Sequence, residues 1–335
     1  MKLTRIFVPL VASMVLYSCA SNNLSYEGKA FKNAYASIKA EELKKNLSVI
    51  ASDEMQGRDT GSEGQKKAGQ YMINFYKNIG VSYPKALGSY YQTVPKEALK
   101  SRGKELPESE NILAFIEGTE KPEEIIVISA HYDHVGTKDG VVYNGADDDG
   151  SGTVAVMEIA EAFQQAKKAG KGPKRSILFL HVTGEEHGLL GSKYYADHPV
   201  YDMKNTVVDL NIDMIGRSDK ENEGKNYVYV IGSEMLSSEL KVINEAANKI
   251  THNLELNYKY DDPKDPMRLY YRSDHYNFAK SGVPVAFYFD GIHADYHQPT
   301  DDVDKIDFPL LQKRAQLVFA TAWELANRKD RIVVD

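Results

Sequence analysis

The chain has 335 residues, 42% hydrophobic and 27% charged, the balance of an ordinary soluble globular protein. That length holds one large α/β domain or two smaller ones. A formal net charge of −7, with no basic run or cluster of stacking aromatics, excludes nucleic acid as a partner.

The N-terminus differs from the rest. MKLTR carries two positive charges, IFVPLVASMVLY follows as an apolar run too short to span a bilayer, and LYSC ends at Cys19, the only cysteine. This resembles a bacterial lipoprotein signal. Residues 1–18 would be the signal peptide, and residues 19–39 a lipidated N-terminus and polar tether. An ordinary secretory signal cut nearby is the alternative, and either one exports the chain to the cell envelope. With no polybasic patch, membrane attachment rests on the lipid alone. A lone cysteine also forbids an internal disulfide.

Residues 40–335 read as one folded unit. Apolar spacing predicts helices over Glu41–Ile50 and Gly64–Ile79, the second stopped by Gly80. Short β-rich apolar runs follow at Asn111–Ile116, Ile125–Ser129, Ile177–Val182, Val207–Ile212, Tyr227–Ile231 and Val285–Phe289. Helical stretches alternate with them at Thr153–Lys168, Ser237–Lys249 and Asp274–Lys280, and Leu310–Asn327 closes the chain. This alternation predicts a single α/β domain with a doubly wound, mostly parallel sheet flanked by helices. In such folds, sites form beyond the carboxyl ends of the strands.

Those ends share one chemistry. One strand runs into His131-Tyr132-Asp133-His134, the next into Gly184-Glu185-Glu186-His187, and a third into Asp213. The last leads through a short loop to Asp295-Tyr296-His297, and a triplet, Asp147-Asp148-Asp149, precedes a helix. Singly, each has a plain structural explanation, but together they form a nitrogen and carboxylate donor set suited to Zn²⁺. Two metals close together need a shared carboxylate to offset their repulsion. The triplet supplies one, although spacing does not choose among its three members. Asp133 is placed to reach the second ring nitrogen of His131, and one of the paired glutamates would stay off the metal as a base.

The motifs ASDEMQGRDTGSEGQKKAGQYM, NILAFIEGTEKPEEIIVISAHYDHVG, NGADDDGSGTVAVMEIAEAF, TGEEHGLLGS, NIDMIG, RSDHYNFAKSGVPVAFYF and YHQPTDDVDKID occur in this order. Together they resemble the M28 family of co-catalytic zinc metallopeptidases, typified by secreted bacterial aminopeptidases, from about Leu47 to the last helix. The resemblance implies two zinc ions. His131 and Asp213 would bind one and Glu186 and His297 the other, with Asp148 as the bridge, joined to Asp149 by a cis peptide. It makes Glu185 the catalytic base, and Asp133, paired with His131, counts with it among the catalytic residues. Tyr296 would polarise the substrate carbonyl, and Arg272 would bind substrate. His134, His187, His275 and His293 are expected around the site without a motif that assigns them to metal. His181 is expected in the core, and His198 and His252 on the surface.

The implied activity is hydrolysis of peptide or protein substrates, as an aminopeptidase with Glu185 acting on a water between the zincs. Within enzymes, a single-zinc glutaminyl-cyclase-like acyltransferase and a dipeptidase or carboxypeptidase are alternatives. A metal-free binding protein is a further one, against which the full ligand set argues. Ser151 in DGSGT reads as a helix-start residue rather than a nucleophile.

Overall fold

The computed structural model describes residue 26, residues 28–101 and residues 103–335; the signal segment and Cys19 lie outside these. In chain order the main sheet comprises β1 (Tyr91–Val94), β2 (Ser109–Ile116), β3 (Lys121–His131), β4 (Arg175–Val182), β5 (Thr206–Ile212), β6 (Tyr227–Ile231), β7 (Glu255–Asn257) and β8 (Val285–Phe289). Their spatial order is β1-β2-β4-β3-β5-β8-β6-β7. The central four, β4-β3-β5-β8, run parallel. The β1–β2, β2–β4 and β6–β8 pairs are antiparallel, and the edge pair β6–β7 is parallel. This is the expected single-domain α/β sheet, with antiparallel strands toward its edges.

The central strands form because both of their faces are covered. All residues of β4 are buried, and alternate residues of β3 enter different clusters: Ile126 and Ile128 one, Ile125 and Val127 the other. Helices α1 (Lys29–Ser37), α2 (Ala40–Ile50), α3 (Glu63–Ile79), α4 (Gly152–Lys168), α6 (Ser238–Ile250) and α8 (Phe308–Asn327) contribute to the first cluster, and α5 (Leu190–Asp197) and α7 (His275–Lys280) to the second. Local chemistry sets the bounds. The Ser62 hydroxyl accepts the Gln65 N–H at the start of α3, and Gly80 ends that helix in the left-handed conformation.

Four elements differ from expectation. Residues 29–37 are not tether but helix α1, whose Phe31 is buried and packs on Phe319 and Trp323 with ring centroids 5.8 and 5.6 Å away. Only Phe31 and Ala34 of that polar segment are buried, with Tyr35 packed against them, so its composition hid the helix; burying a Phe stabilises by about 1.5–3 kcal/mol. Edge strands β1 and β7 are short and partly exposed, leaving no apolar run to read. Helix α5 buries only Gly191, Ser192 and Tyr195. Among the described residues, no helix is long and apolar enough to cross a membrane.

Candidate metal centre

The adjacent parallel strands β4, β3, β5 and β8 deliver their following residues to one place. His131 ends β3, Glu185 and Glu186 follow β4, Asp213 follows β5, and the segment after β8 reaches Tyr296 and His297. Two donor clusters result, one of His131, Asp148 and Asp213, the other of His134, Asp148 and Glu186. Asp148 belongs to both.

The triplet divides its labour. Asp147 Oδ1 accepts the Gly216 N–H at 2.7 Å, and Oδ2 lies 3.1 Å from His293 Nε2. Asp149 Oδ1 accepts N–H groups of Gly152 and Met214, both at 3.0 Å. Only Asp148 turns its carboxylate toward the cluster, and its peptide to Asp149 is cis. Asp301 fixes the turn by accepting the Asp147 and Asp148 N–H groups.

Donor separations show which of these side chains could share an ion. Asp148 Oδ1 lies 3.3 Å and Asp213 Oδ1 3.5 Å from His131 Nε2. On the other side, His297 Nε2 is 3.0 Å from both Asp148 Oδ2 and Glu186 Oε2. Donors about 2.0–2.1 Å from a tetrahedral zinc lie about 3.3 Å apart, so these spacings suit ligands sharing an ion. The buried His131 Nε2, Asp148 Oδ2 and Glu186 Oε1 make no aligned hydrogen bond, a cost that a metal would remove. His131 Nδ1 lies 3.1 Å from the backbone carbonyl of Asp133. A carbonyl can only accept, so the proton sits on Nδ1 and the Nε2 lone pair faces the cluster.

Asp133 faces His131 as expected and makes further contacts. Its Oδ1 is 3.7 Å from His131 Nδ1, whereas it accepts the Glu185 N–H at 3.2 Å; Oδ2 accepts the Thr60 hydroxyl at 2.8 Å. Its carboxylate thus positions the Glu185 backbone while its carbonyl orients His131. Burial, with the charges of Asp213, Glu186 and Asp274 adding to it against that of His131, holds the Glu185 carboxyl well above the usual carboxylate range. The Tyr296 ring stacks on His297 at 3.9 Å between centroids. Burial and the Asp148 and Glu186 charges raise its phenol, which therefore stays a donor.

Beside the clusters opens a cleft lined by Asp148, Glu185, Asp213, Arg272 and Tyr296 and walled by Met214, Leu269, Phe287, Phe289 and Ile292. The other histidines lie apart from the donors. His181 meets the Tyr76 hydroxyl in the core at 2.6 Å, His187 meets Asp59 at 3.0 Å, and His275 stacks on Phe287. His198 and His252 are at the surface, as expected. Arg58 was not singled out from the sequence. Fully buried, it donates to the carbonyls of Ile50, Tyr132, Asn144 and Gly145, tying α2 and the loops after β3 together below the cluster. An arginine in a polar segment signals no such role by composition.

Fold and donor set define a doubly wound α/β protein built to hold a pair of divalent metal ions. The chain belongs to peptidase family M28, whose model matches residues 111–322. A probable leucine aminopeptidase of Arthroderma otae is 30% identical over 222 residues, 64% of this chain and 57% of that protein. The chain thus spans little more than half the length of this curated relative. BSAP, a zinc aminopeptidase from Bacillus subtilis, shares the fold at 18% identity, with a TM-score of 0.65 over 87% of this chain and 96% of that one. So does Porphyromonas gingivalis glutaminyl cyclase, at 20% identity and a TM-score of 0.62 over 84% and 97%.

Because the Asp133 carbonyl would still orient His131, Asp133→Asn is expected to retain both zinc ions and lose about 10–100-fold in kcat. Elemental analysis paired with steady-state kinetics checks this; loss of one zinc would show that the carboxylate serves His131 instead.

Proposed function

We propose that the protein is a di-zinc aminopeptidase that removes an apolar N-terminal residue from peptides. The observation that carries this reading is Asp148, shared between two donor clusters, with Glu185 and Tyr296 opening onto the same cleft. Ligand roles are assigned as His131 and Asp213 on one ion, Glu186 and His297 on the other, and Asp148 on both. When bound, the ions supply Lewis-acid polarisation and acidify a water for attack.

The chain's own residues do the rest. Glu185, held by its backbone contact to Asp133, takes the proton of the attacking water and returns it to the departing amine. The Tyr296 hydroxyl donates to the scissile carbonyl oxygen as negative charge builds there. Met214, Leu269, Phe287, Phe289 and Ile292 receive the side chain, and Arg272, exposed at the cleft, contacts the substrate. The leucine aminopeptidase relative supports apolar selectivity. A cyclase-like reading shares the fold but needs one ion, leaving His131 and Asp213 without their use; the paired clusters favour hydrolysis.

Glu185→Gln should keep its metals and lose about 10²–10⁴ in kcat, the span of general acid–base catalysis. Wild-type protein should cleave leucyl-peptides and leave their N-acetylated forms intact. Near-normal turnover by the variant would remove Glu185 from its role, and equal cleavage of acetylated peptides would remove the aminopeptidase assignment.

The N-terminal segment supports an exported protein anchored through lipid on Cys19. Metabolic labelling with palmitate should mark the wild-type chain and not Cys19→Ser; unlabelled wild-type protein would favour an ordinary secretory signal.

A further inference from the structure

His134 is the one histidine of the region that no motif assigns and that nevertheless reaches a donor cluster. It is fully buried, and neither ring nitrogen makes an aligned hydrogen bond. Its Nδ1 lies 2.8 Å from Glu186 Oε1 and 3.7 Å from Asp148 Oδ2. A nitrogen that close to a carboxylate oxygen, yet off the axis of an N–H bond, has the geometry of two donors facing one ion. At bond lengths of about 2.0–2.1 Å, a 2.8 Å spacing corresponds to an angle near 90° at the metal, as in a five-coordinate site.

The ring is held there. The His134 N–H donates to the Arg58 carbonyl at 3.2 Å, and a Cβ on Gly145 would come within 2.5 Å of the imidazole. Gly145 has φ +55°, and its missing side chain leaves the space that the ring fills. The His297 ring crosses it edge-on at 5.8 Å, and both imidazoles present a nitrogen to Asp148 Oδ2 and Glu186.

We infer that His134 is an additional ligand of the Glu186–His297 metal site, so that this site has two imidazoles while the His131–Asp213 site has one. The inference rests on the di-zinc reading. Imidazole favours zinc over harder divalent ions, whereas carboxylate-rich sites accept manganese and magnesium. The His134 site is therefore the one that fills first and holds zinc against a chelator, and the His131 site exchanges its ion more freely.

The test is competition of the purified full chain with a chromophoric zinc chelator, giving two stepwise dissociation constants, alongside proton NMR of the dicobalt form. Wild type should show one tight and one weaker zinc, and a downfield exchangeable imidazole N–H signal from each of His131, His134 and His297. In His134→Ala the tighter constant should weaken by 100-fold or more, one signal should vanish, and the other constant should stay. His134→Gln keeps a hydrogen-bond donor near Glu186 without an imidazole and should behave like the alanine variant. Rescue by glutamine, or two unchanged constants, would overturn the inference and leave the di-zinc reading intact. A wild-type chain that binds fewer than two zinc ions would instead overturn the di-zinc reading. Circular dichroism of the metal-free variants separates misfolding from ligand loss, and a variant that keeps its fold and all its signals counts against His134.

Discussion

Buried negative charge is the constraint on which the structure turns. Asp133, Asp147, Asp148, Asp149, Asp213 and Asp301 all lie nearly out of solvent within one region. The buried cation beside them, Arg58, gives its N–H groups to four backbone carbonyls. Carboxylates so placed must be hydrogen-bonded, be protonated or face a cation. Asp147, Asp149 and Asp301 take the first course by accepting backbone N–H groups. Asp148 is left facing three histidines. Burial, reinforced by neighbouring carboxylates, raises Asp149 and Glu185 well above the carboxylate range, so metal ions and protons compete for this region and metal uptake should release protons.

The sheet gathers the donors cheaply. Four adjacent parallel strands end on the same edge, so His131 at one end and short segments after the others bring His131, Glu186, Asp213 and His297 together. The backbone bends sharply at that edge. Met214, next to Asp213, and His297 have φ of +62° and +55°. Positive φ at residues other than glycine occurs where surrounding structure fixes the conformation, and here it aims side chains into the cluster. Strand ends thus place the donors, while Phe287 and Phe289 of β8 and residues of neighbouring loops wall the cleft.

The central strands were legible because burial on both faces demands uninterrupted apolar runs. The edge strands β1 and β7 were not, since each is short and half in solvent. The donor residues could be read because they recur at strand ends in a fixed order, and the family resemblance chose Asp148 where spacing could not. The structure gives the physical reason for that choice: its two neighbours are used up by the turn. Other features escaped the sequence. Asp133 follows the spacing of a carboxylate partner for His131, yet its carbonyl makes the closer contact, which depends on a backbone path that spacing does not encode. His134 adjoins the motif but points to the other cluster, a matter of ring direction. Helix α1 was hidden because its polar face dominates its composition.

The central claim is that one carboxylate joins two zinc sites, and counting zinc in wild type and Asp148→Asn after desalting addresses it most directly. The account predicts about two zinc ions per chain in the wild type and loss of both from the variant, because neither cluster keeps its shared donor. One ion or none in the wild type after added zinc, or two retained by the variant, would contradict it.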